Sequence, residues 1–458
     1  MADGREIVER IWARDPALWT GKDEGKWLGW LDEPWRMLED AELLLEFADA
    51  VVDNIDAVVL LGMGGSSLAP EVIKRTFRQE TFHVLDTTHP KAVRALEAQL
   101  DISRTLFISA SKSGSTLETR SHTDYFWEKT GRNGNQFAAI TDPGSALEQL
   151  ARVREFAGIF PGEPTIGGRY SALSPFGMVP AALMGIDVSR FLLRAQEMAD
   201  ACRLAEGNPG LELGLSLGEN WRDGRDKVCI APNPGGFGLW AEQLIAESTG
   251  KQGKGLIPAP EESPDGPDRQ AQEVRLTGEA DDAYELGQEF FRWEFATAVA
   301  GAILEINPFD QPDVQAAKDM TKQILDSGQD PKVDPVGSPD ELYALANPGD
   351  YVAILAFVDP TPAADAELAE LAEQARQATG CVVTHGYGPR YLHSTGQLHK
   401  GGPPTGLFLQ VVDDTGDELP IPNQPFGFGQ LIRAQAAGDF ASLQERGRRI
   451  ARIRLEDL

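Results

Sequence analysis

The sequence predicts an α/β protein with two doubly wound, three-layer domains on parallel sheets, followed by a C-terminal α/β extension. Near residue 57 a pattern begins in which a short apolar run, a Gly/Ser-rich turn and an amphipathic helix follow one another. Strands that are apolar throughout and alternate with helices are typical of parallel sheets covered on both faces. The pattern restarts near residue 227 and again near residue 348, which indicates two further units.

The first unit, placed at 1–195 with its N-terminal helices, contains four strand–turn–helix repeats. Its strand candidates lie in AVVLLGMGG (57–65), HVLDTTHP (83–90), RTLFISASKSGST (104–116) and FAAITDPGS (137–145). Ligand sites in parallel sheets lie at the carboxyl ends of the strands. The turns that follow these runs are therefore the first places to look for a binding site.

The second unit is placed at 196–345 and the third at 346–458. The second begins with KVCIAPNPGG and a helix, and continues through a loop rich in Gly, Pro and acids at 253–268 into a long apolar-striped segment. The third offers YVAILAFV, CVVTHGYG and GLFLQVV as strands. Its last stretch predicts a helix followed by a short basic strand or tail.

Charge and composition exclude several classes of function. Of 458 residues 41% are hydrophobic, which is enough to fill real cores, and 42 Lys+Arg against 71 Asp+Glu give a net charge of −29. Such a field repels nucleic acid and anionic membrane surfaces, so neither is expected as a partner. A phosphate site in this chain must depend on backbone dipoles and a few well-placed cations.

The cysteines and the N-terminal sequence indicate a cytoplasmic protein. Cys202, Cys229 and Cys381 lie far apart, form no metal-ligand pair, and are expected as buried thiols in a reducing compartment. The N-terminal residues are charged and helix-like, without the apolar core of a signal peptide. No apolar run approaches the length needed to cross a bilayer.

The strongest local signal is TLFISASKSGSTLET (105–119), in which a strand ends in a loop of hydroxyl side chains before a helix. These hydroxyls belong to Ser109, Ser111, Ser113, Ser115 and Thr116. Hydroxyl donors and free N–H groups at a helix N-terminus bind phosphate with little formal charge, and Lys112 adds one cation. The alternative is a helix cap, but a cap needs a single hydroxyl. We therefore predict a phosphate site.

A second glycine-rich turn, LGMGGSSLAP (61–70), permits two interpretations. It resembles a dinucleotide loop, and Asp86 lies about where such folds place a ribose-binding acid. Ser67, however, stands where the third glycine of that motif belongs. Beside the hydroxyl loop, this turn fits a monophosphate better than a pyrophosphate.

Three further segments offer charged groups for catalysis. Arg169 in TIGGRYSALSPFG follows two glycines and is suited to stabilising an oxyanion, with a structural salt bridge as the alternative. Glu247 near the end of a helix is a candidate general base, although a solvated surface Glu is the ordinary case. Lys318 lies two turns into a helix, where a lone lysine usually faces solvent.

Taken in order, these segments resemble the phosphoglucose isomerases of the sugar isomerase (SIS) family. The matching motifs are GMGGS (62–66), SKSGSTLET (111–119), GGRYS (167–171), ESTGK (247–251) and FDQPDVQAAK (309–318). The resemblance implies SIS-type domains and a reaction without metal or organic cofactor. It also implies a small-molecule sugar phosphate as substrate and, commonly in this family, a homodimer.

The resemblance implies roles residue by residue. Ser111, Lys112, Ser113 and Thr116 match the phosphate loop, and Gly65 and Ser66 match residues flanking the sugar. Arg169 matches the residue that stabilises an enediolate, Glu247 the base that moves a proton between C2 and C1, and Lys318 a residue of ring handling.

Three departures from the family pattern are visible. The family places a ring-opening histidine about thirty residues after the base, where this chain has none; the nearest echo is YLHSTGQLHKGG (391–402), and we choose His399 over His393. Thr249 replaces the usual Asn of ESNGK, and DVQ replaces GVE. The arrangement looks most like the isomerase half of transaldolase–isomerase fusions, without the transaldolase barrel.

The leading hypothesis is an enzyme of glycolysis and gluconeogenesis that interconverts glucose 6-phosphate and fructose 6-phosphate. A dual phosphoglucose/phosphomannose isomerase is the nearest rival, and Thr249 is compatible with it. A non-catalytic SIS sugar-phosphate sensor needs neither Glu247, Arg169 nor Lys318. A nucleotide-dependent dehydrogenase rests on the glycine-rich turn and Asp86 alone.

Overall fold

Five parallel strands form the first sheet, in the order β2-β1-β3-β4-β5. The computed structural model describes residues 4–276 and 280–457. The strands are β1 (Ala57–Leu61), β2 (Phe82–Leu85), β3 (Thr105–Ala110), β4 (Phe137–Thr141) and β5 (Gly158–Pro161). Every residue of β3 and β4 is buried, as their apolar runs predict for strands covered on both faces. The sequence gives no comparable signal for β5, because GIFP is a four-residue edge segment.

Helices precede, connect and follow these strands. They are α1 (Gly4–Trp12), α2 (Glu33–Val52), α3 (Leu68–Phe77), α4 (Pro90–Gln99), α5 (Leu117–Lys129), α6 (Ala146–Val153), α7 (Pro175–Leu183), α8 (Val188–Ala201) and α9 (Pro209–Arg222). Side-chain caps fix several starts. The Ser145 hydroxyl, for example, accepts the N–H of Glu148 at 3.0 Å and starts α6.

The strand order of this sheet locates its binding crevice. All strands run parallel, but the direction in which successive strands are added to the sheet reverses between β1 and β3. β2 lies on the outer side of β1, whereas β4 and β5 lie on the outer side of β3. In open parallel sheets a ligand crevice forms at this reversal, outside the carboxyl ends of the two strands. The loops that leave these ends are 62–67 and 111–116, the two glycine- and hydroxyl-rich turns.

The second sheet has three parallel strands in the order β7-β6-β8. They are β6 (Lys227–Ile230), β7 (Ile257–Pro260) and β8 (Arg269–Gln272), with helices α10 (Gly238–Thr249), α11 (Leu286–Leu304) and α12 (Gln315–Asp326). The prediction of a loop over 253–268 was wrong, because β7 lies within it. Prolines usually indicate a loop, so the sequence of this segment did not predict a strand. β7 is an edge strand of its sheet, however, and proline is tolerated in edge strands.

The third sheet has four parallel strands in the order β10-β9-β11-β12. They are β9 (Tyr351–Phe357), β10 (Val382–Tyr387), β11 (Gly406–Val412) and β12 (Arg449–Arg454), with helices α13 (Pro339–Tyr343), α14 (Pro362–Thr379), α15 (Gly396–Gly401) and α16 (Phe428–Glu445). The three predicted strands, β9, β10 and β11, and the final basic strand are confirmed. With three parallel sheets and their helices, the α/β fold class is confirmed.

Helix α16 joins the C-terminal part of the chain to the first sheet. The ring of Phe428 stacks on His122 of α5, with ring centroids 5.4 Å apart. Phe428, Leu431 and Ala434 share one apolar core with Phe107 and Phe126. Each sheet lies within one of the three predicted units, and the exact division at 195 and 345 stays a prediction.

Two expectations about the whole chain are met among the described residues. The three cysteines are buried free thiols. Within 4–276 and 280–457 we find no helix with the length and apolar character to cross a membrane.

Candidate active site

The hydroxyl loop at 111–116 connects β3 to α5 and is held by its own side chains. The Ser111 and Thr116 hydroxyl oxygens lie 2.9 Å apart, and Ser111 also accepts the Gly114 N–H at 3.2 Å. Gly114 has φ +67°, and a Cβ there would lie 2.3 Å from the Leu147 nitrogen. The buried Ser111 therefore shapes the loop, and Gly114 lets it close against α6.

A cavity of about 490 Å³ opens beside this loop. Ser113, Ser115 and Thr116 line one wall, and Lys318 and Lys322, one turn apart on α12, line another. Hydroxyls on one side and ammonium groups on the other suit a phosphate ester. The structure thus brings the predicted residues Ser113, Thr116 and Lys318 to one space.

A third wall of the cavity holds a carboxylate–imidazole pair formed by Glu118 and His393. His393 Nε2 lies 2.9 Å from Glu118 Oε1. Burial by itself raises the pKa of the Glu118 carboxyl, but His393 and then Lys318 outweigh it and lower that pKa to about 2. Glu118 is therefore ionised at neutral pH, with His393 held against it.

Glu247 and Arg169 form a second cluster, joined to the first through α10. Arg169 Nη1 lies 3.5 Å from Glu247 Oε1. Gln243, one helical turn before Glu247, donates its Nε2 to Glu247 Oε2 at 3.1 Å and to the His393 carbonyl at 2.9 Å. The predicted base, the predicted oxyanion partner and the histidine turn are thereby linked by direct contacts.

Arg169 is 2% exposed and is held on every side. Its Nε donates to Ser248 Oγ at 2.8 Å, and its two Nη atoms reach Gln311 Oε1 at 2.9 Å and the Pro308 carbonyl at 2.8 Å. Nearby, burial and the charge of Arg169 lower the pKa of Lys251 to about 8. The guanidinium is thus fixed in place beside the Glu247 carboxylate.

The described residues that line the main cavity do not include Lys112, Ser66 or Gly65. Lys112 Nζ pairs with Asp142 Oδ2 at 2.6 Å. Ser66 and Lys112 line a separate crevice of about 10 Å³ together with Gly168. The structure therefore does not bring these three predicted residues to the wall that carries Ser113 and Lys318.

The glycine-rich turn after β1 is closed by other backbone segments. A Cβ on Gly65 would lie 2.1 Å from the Gly168 carbonyl oxygen, and one on Gly64 would lie 2.4 Å from the His393 carbonyl oxygen. Asp86 faces Arg390 at 3.7 Å. The glycines thus allow three backbone segments to meet at this turn, a structural use that argues against the dehydrogenase hypothesis.

His399, the histidine preferred from the sequence, does not line the cavity. It is 3% exposed, and its ring packs between Tyr391 and Phe408, with centroids 5.9 and 5.1 Å away. Burial, with the charge of Lys400, lowers the pKa of His399 well below its usual value. The structure places His393 at the site instead, because the turn at 390–393 projects it toward α5.

Sequence reasoning missed Glu118, Gln243 and Gln311. Each carried a signal. Glu118 is the acid of the quoted SKSGSTLET motif, Gln243 precedes Glu247 by one helical turn, and Gln311 belongs to the quoted FDQ. Conversely Thr249 is fully buried, donates to the Ile245 carbonyl and accepts from Leu256, so it faces away from the cavity.

Comparisons with known proteins agree with the motif resemblance. Residues 45–214 match the family model described as phosphoglucose isomerase. The glucose-6-phosphate isomerase of Gloeothece citriformis is 32% identical over 270 residues, covering 55% of this chain and 50% of that protein. The enzyme of the same name from Trichormus variabilis is 33% identical over 275 residues, with the same coverage. The chain thus spans about half the length of the curated relatives it matches.

The fold has a counterpart among solved structures. The crystal structure of a glucose-6-phosphate isomerase from Chlamydia trachomatis superposes with a TM-score of 0.59 at 17% identity, covering 70% of this chain and 84% of that one. At this identity the likeness concerns the fold alone. Together with the sequence matches, the resemblance to phosphoglucose isomerases is confirmed.

Proposed function

We propose that this chain, as a relative of the phosphoglucose isomerases, interconverts glucose 6-phosphate and fructose 6-phosphate without a cofactor. The observation that carries the proposal is the link made by Gln243, which joins the Glu247 carboxylate to the His393 turn beside the hydroxyl loop. An isomerase of this kind needs a phosphate grip, a group that opens the sugar ring, and a base at C1 and C2. The first two line the cavity, and Gln243 links Glu247 to the turn that carries His393.

In the proposed mechanism the sugar phosphate is held by the cavity walls. Its phosphate accepts hydrogen bonds from Ser113 and Thr116 at the start of α5, with the Lys318 ammonium across the cavity. The grip compensates locally for the net charge of −29. A fixed phosphate also orients the reacting carbons, which lowers the entropic part of the barrier.

Ring opening is assigned to His393. Protonated His393 gives its proton to the ring oxygen O5 as the C1–O5 electron pair moves onto that oxygen. The O1 hydroxyl proton passes to water, so that C1=O1 forms and the open aldose results. Glu118 orients the His393 ring through their 2.9 Å contact and enters this step as a carboxylate, since His393 and Lys318 lower its pKa to about 2.

Isomerisation is assigned to Glu247 and Arg169. Glu247 removes the proton from C2, and the electron pair forms the C1=C2 bond while the C1=O1 pair moves onto O1, which gives the cis-enediolate. The O2 hydroxyl proton passes to O1, the C2=O2 bond forms as the C1=C2 pair moves to C1, and the same carboxylate returns its proton there. Arg169 lies 3.5 Å from Glu247 and balances charge on the oxygens. General base action of this kind supplies roughly two to four orders of magnitude in rate.

The first test replaces the base. Glu247→Gln keeps the side-chain shape and the contact with Gln243 but removes the basic carboxylate. We therefore expect kcat to fall by about 10³. Glucose 6-phosphate binding, measured by calorimetry, should survive, because the phosphate grip is intact.

Isomerisation is followed in a coupled assay, together with exchange of the C2 hydrogen for solvent deuterium. Glu242→Gln, on the same helix, is the matched control. Full activity in Glu247→Gln contradicts the assignment of the base. Tight binding without turnover in the unmodified chain favours the sensor hypothesis instead.

A further inference from the structure

Helix α16 directs two side chains, one turn apart, at the groups around the ring-opening histidine. Gln435 donates its Nε2 to Glu118 Oε1 at 2.7 Å. Asp439 accepts the Tyr391 hydroxyl through Oδ2 at 2.6 Å. Glu118 starts α5 in the first unit, whereas Tyr391 lies in the same short turn as His393. The helix therefore contacts both members of the Glu118–His393 pair, one directly and one through its neighbour.

The Gln435 amide has a second buried partner, Thr88, on its oxygen side. Its Oε1 accepts the Thr88 hydroxyl at 2.7 Å, and both side chains are buried, with 3% of Gln435 and none of Thr88 exposed. The reverse orientation would place the amide oxygen against the Glu118 carboxylate, where two acceptors repel each other. The Glu118 carboxylate, which can only accept, therefore turns the Nε2 group toward itself, and the Thr88 hydroxyl satisfies the amide oxygen on the other side.

The second arm of α16 is equally buried. Asp439 is fully buried, and Lys400 Nζ neutralises its Oδ1 at 2.6 Å. Its other oxygen is engaged by Tyr391, which anchors the turn 390–393. A buried, fully paired network of this kind specifies one arrangement of the segments that it joins.

We propose that Gln435 is a positioning residue that holds Glu118 in register with His393 for opening of the sugar ring. This inference rests on the proposed isomerase function. A neutral amide donor steadies the carboxylate without cancelling its charge, so Glu118 remains able to orient the imidazolium. An acid or a cation at position 435 would instead repel Glu118 or compete with His393 for it.

The test separates ring opening from isomerisation. Opening and reclosure of the ring interconverts the α and β anomers of glucose 6-phosphate, and it needs no base at C2. In the Glu247→Gln background, the part of anomer exchange that depends on enzyme concentration, measured by NMR after the uncatalysed rate is subtracted, therefore reports ring opening. Adding Gln435→Met, which keeps the side-chain volume but removes the amide, should slow this exchange about tenfold or more. Thr88→Val should act in the same direction with a smaller effect.

Two controls distinguish positioning from a structural role. Gln430→Met lies on the same helix, bonds the Gln329 carbonyl and does not line the cavity, so its anomer exchange should be unchanged. In the otherwise unmodified enzyme, Gln435→Met should lower kcat about tenfold while KM stays within about twofold. Thermal midpoints of all variants are measured alongside.

The outcomes are separable. If the unmodified chain isomerises glucose 6-phosphate but Gln435→Met leaves anomer exchange at its original rate, the positioning role is overturned while the proposed function stands. A loss that simply follows the thermal midpoint overturns it as well. If the unmodified chain neither isomerises nor accelerates anomer exchange, both the proposed function and this inference fail.

Discussion

His393 and His399 lie six residues apart in the chain and have opposite environments. His393 faces a carboxylate at the cavity, whereas His399 is enclosed by aromatic rings and its Nδ1 has no hydrogen-bond partner in the part of the chain that the structure describes. A proton-transfer group has to reach its substrate, so accessibility decides between them. Their order along the sequence does not contain this information.

This contrast gives a prediction for a pair of variants. His399→Phe should retain activity within about threefold and lose little stability, because Phe fills a volume already lined by rings and removes an unpartnered nitrogen. His393→Gln should lower kcat by about 10² or more, because the proton donor for O5 is lost. Steady-state kinetics with thermal midpoints check both. Inactive, stably folded His399→Phe would restore the original assignment.

The residues of the site differ in how far the sequence reveals them. Ser113, Thr116, Glu247 and Arg169 are visible because short motifs carry them. Gln435 is invisible in this sense, since a glutamine in the middle of an amphipathic helix has no distinctive neighbours. Its contact to Glu118 spans 317 positions of the chain, and only folding creates it.

At the scale of single elements, α11 is an almost entirely buried helix that contains a buried carboxyl group. Nearly all of its side chains are buried. Among them Glu294 is fully buried, and neither of its carboxyl oxygens has a hydrogen-bond partner among residues 4–276 and 280–457. Burial, reinforced by the charge of Glu33, raises the pKa of Glu294 well above its usual value. Burial likewise raises the pKa of Glu33 to about 7, against the opposing effect of Arg36.

These raised pKa values predict how stability depends on pH. The folded state binds protons that the unfolded state releases above its ordinary carboxyl pKa, so the stabilisation is complete in acid and is lost as pH rises through the folded values. We expect the unfolding free energy to fall between pH 5 and pH 8. Glu294→Gln, which stays neutral, should raise the thermal midpoint at pH 8 by about 2 °C or more and change it little at pH 5.

Differential scanning calorimetry at the two pH values tests this prediction. Glu289→Gln on the same helix is unsuitable as a control, because Glu289 forms an ion pair with Arg292. Glu273→Gln, an exposed substitution before that helix, serves instead. An equal effect of Glu294→Gln at pH 5 and pH 8 would show that the carboxyl is ionised in the folded chain.

Strands with largely apolar sequences were predicted well, and strands without them were not. β1, β3, β4, β9 and β11 are short, mostly apolar runs bounded by turn residues, as is typical of buried strands. β7 and β8 (IPAP and RQAQ) carry prolines or polar side chains, and each pairs with β6 alone. Such strands are decided by the neighbour that accepts them, so their own residues give little signal.

At the scale of the whole molecule, the cavity is assembled from distant parts of the chain. Its walls come from the loop and helix start at 113–118 that follow β3, from α12, and from the C-terminal segments that hold His393 and Gln435. A ligand that fills it contacts all three. The homodimer stays a prediction, which sedimentation velocity tests by measuring the mass of the protein in solution. The Glu118–His393 pair is complete within one chain.

This assembly predicts a single cooperative response to substrate. Glucose 6-phosphate at a hundredfold excess over its Kd should stabilise the inactive Glu247→Gln protein by about 2.7 kcal/mol, with one thermal transition rather than two. Differential scanning calorimetry measures this stabilisation. Galactose, a sugar without a phosphate group, is the control ligand. A shift confined to part of the transition would mean that the C-terminal segments do not contribute to binding.

The sequence by itself determined the α/β class, the positions of the central strands, the hydroxyl loop and the resemblance to phosphoglucose isomerases. These follow from local patterns, because burial imposes apolar runs on strands and a phosphate loop needs its hydroxyls within a few residues. Tertiary structure alone decided which histidine faces the cavity, that Lys112 turns to Asp142, and that α16 holds Glu118. Those features are contacts between residues far apart in the chain, and their energies exist only once the sheets and helices have packed.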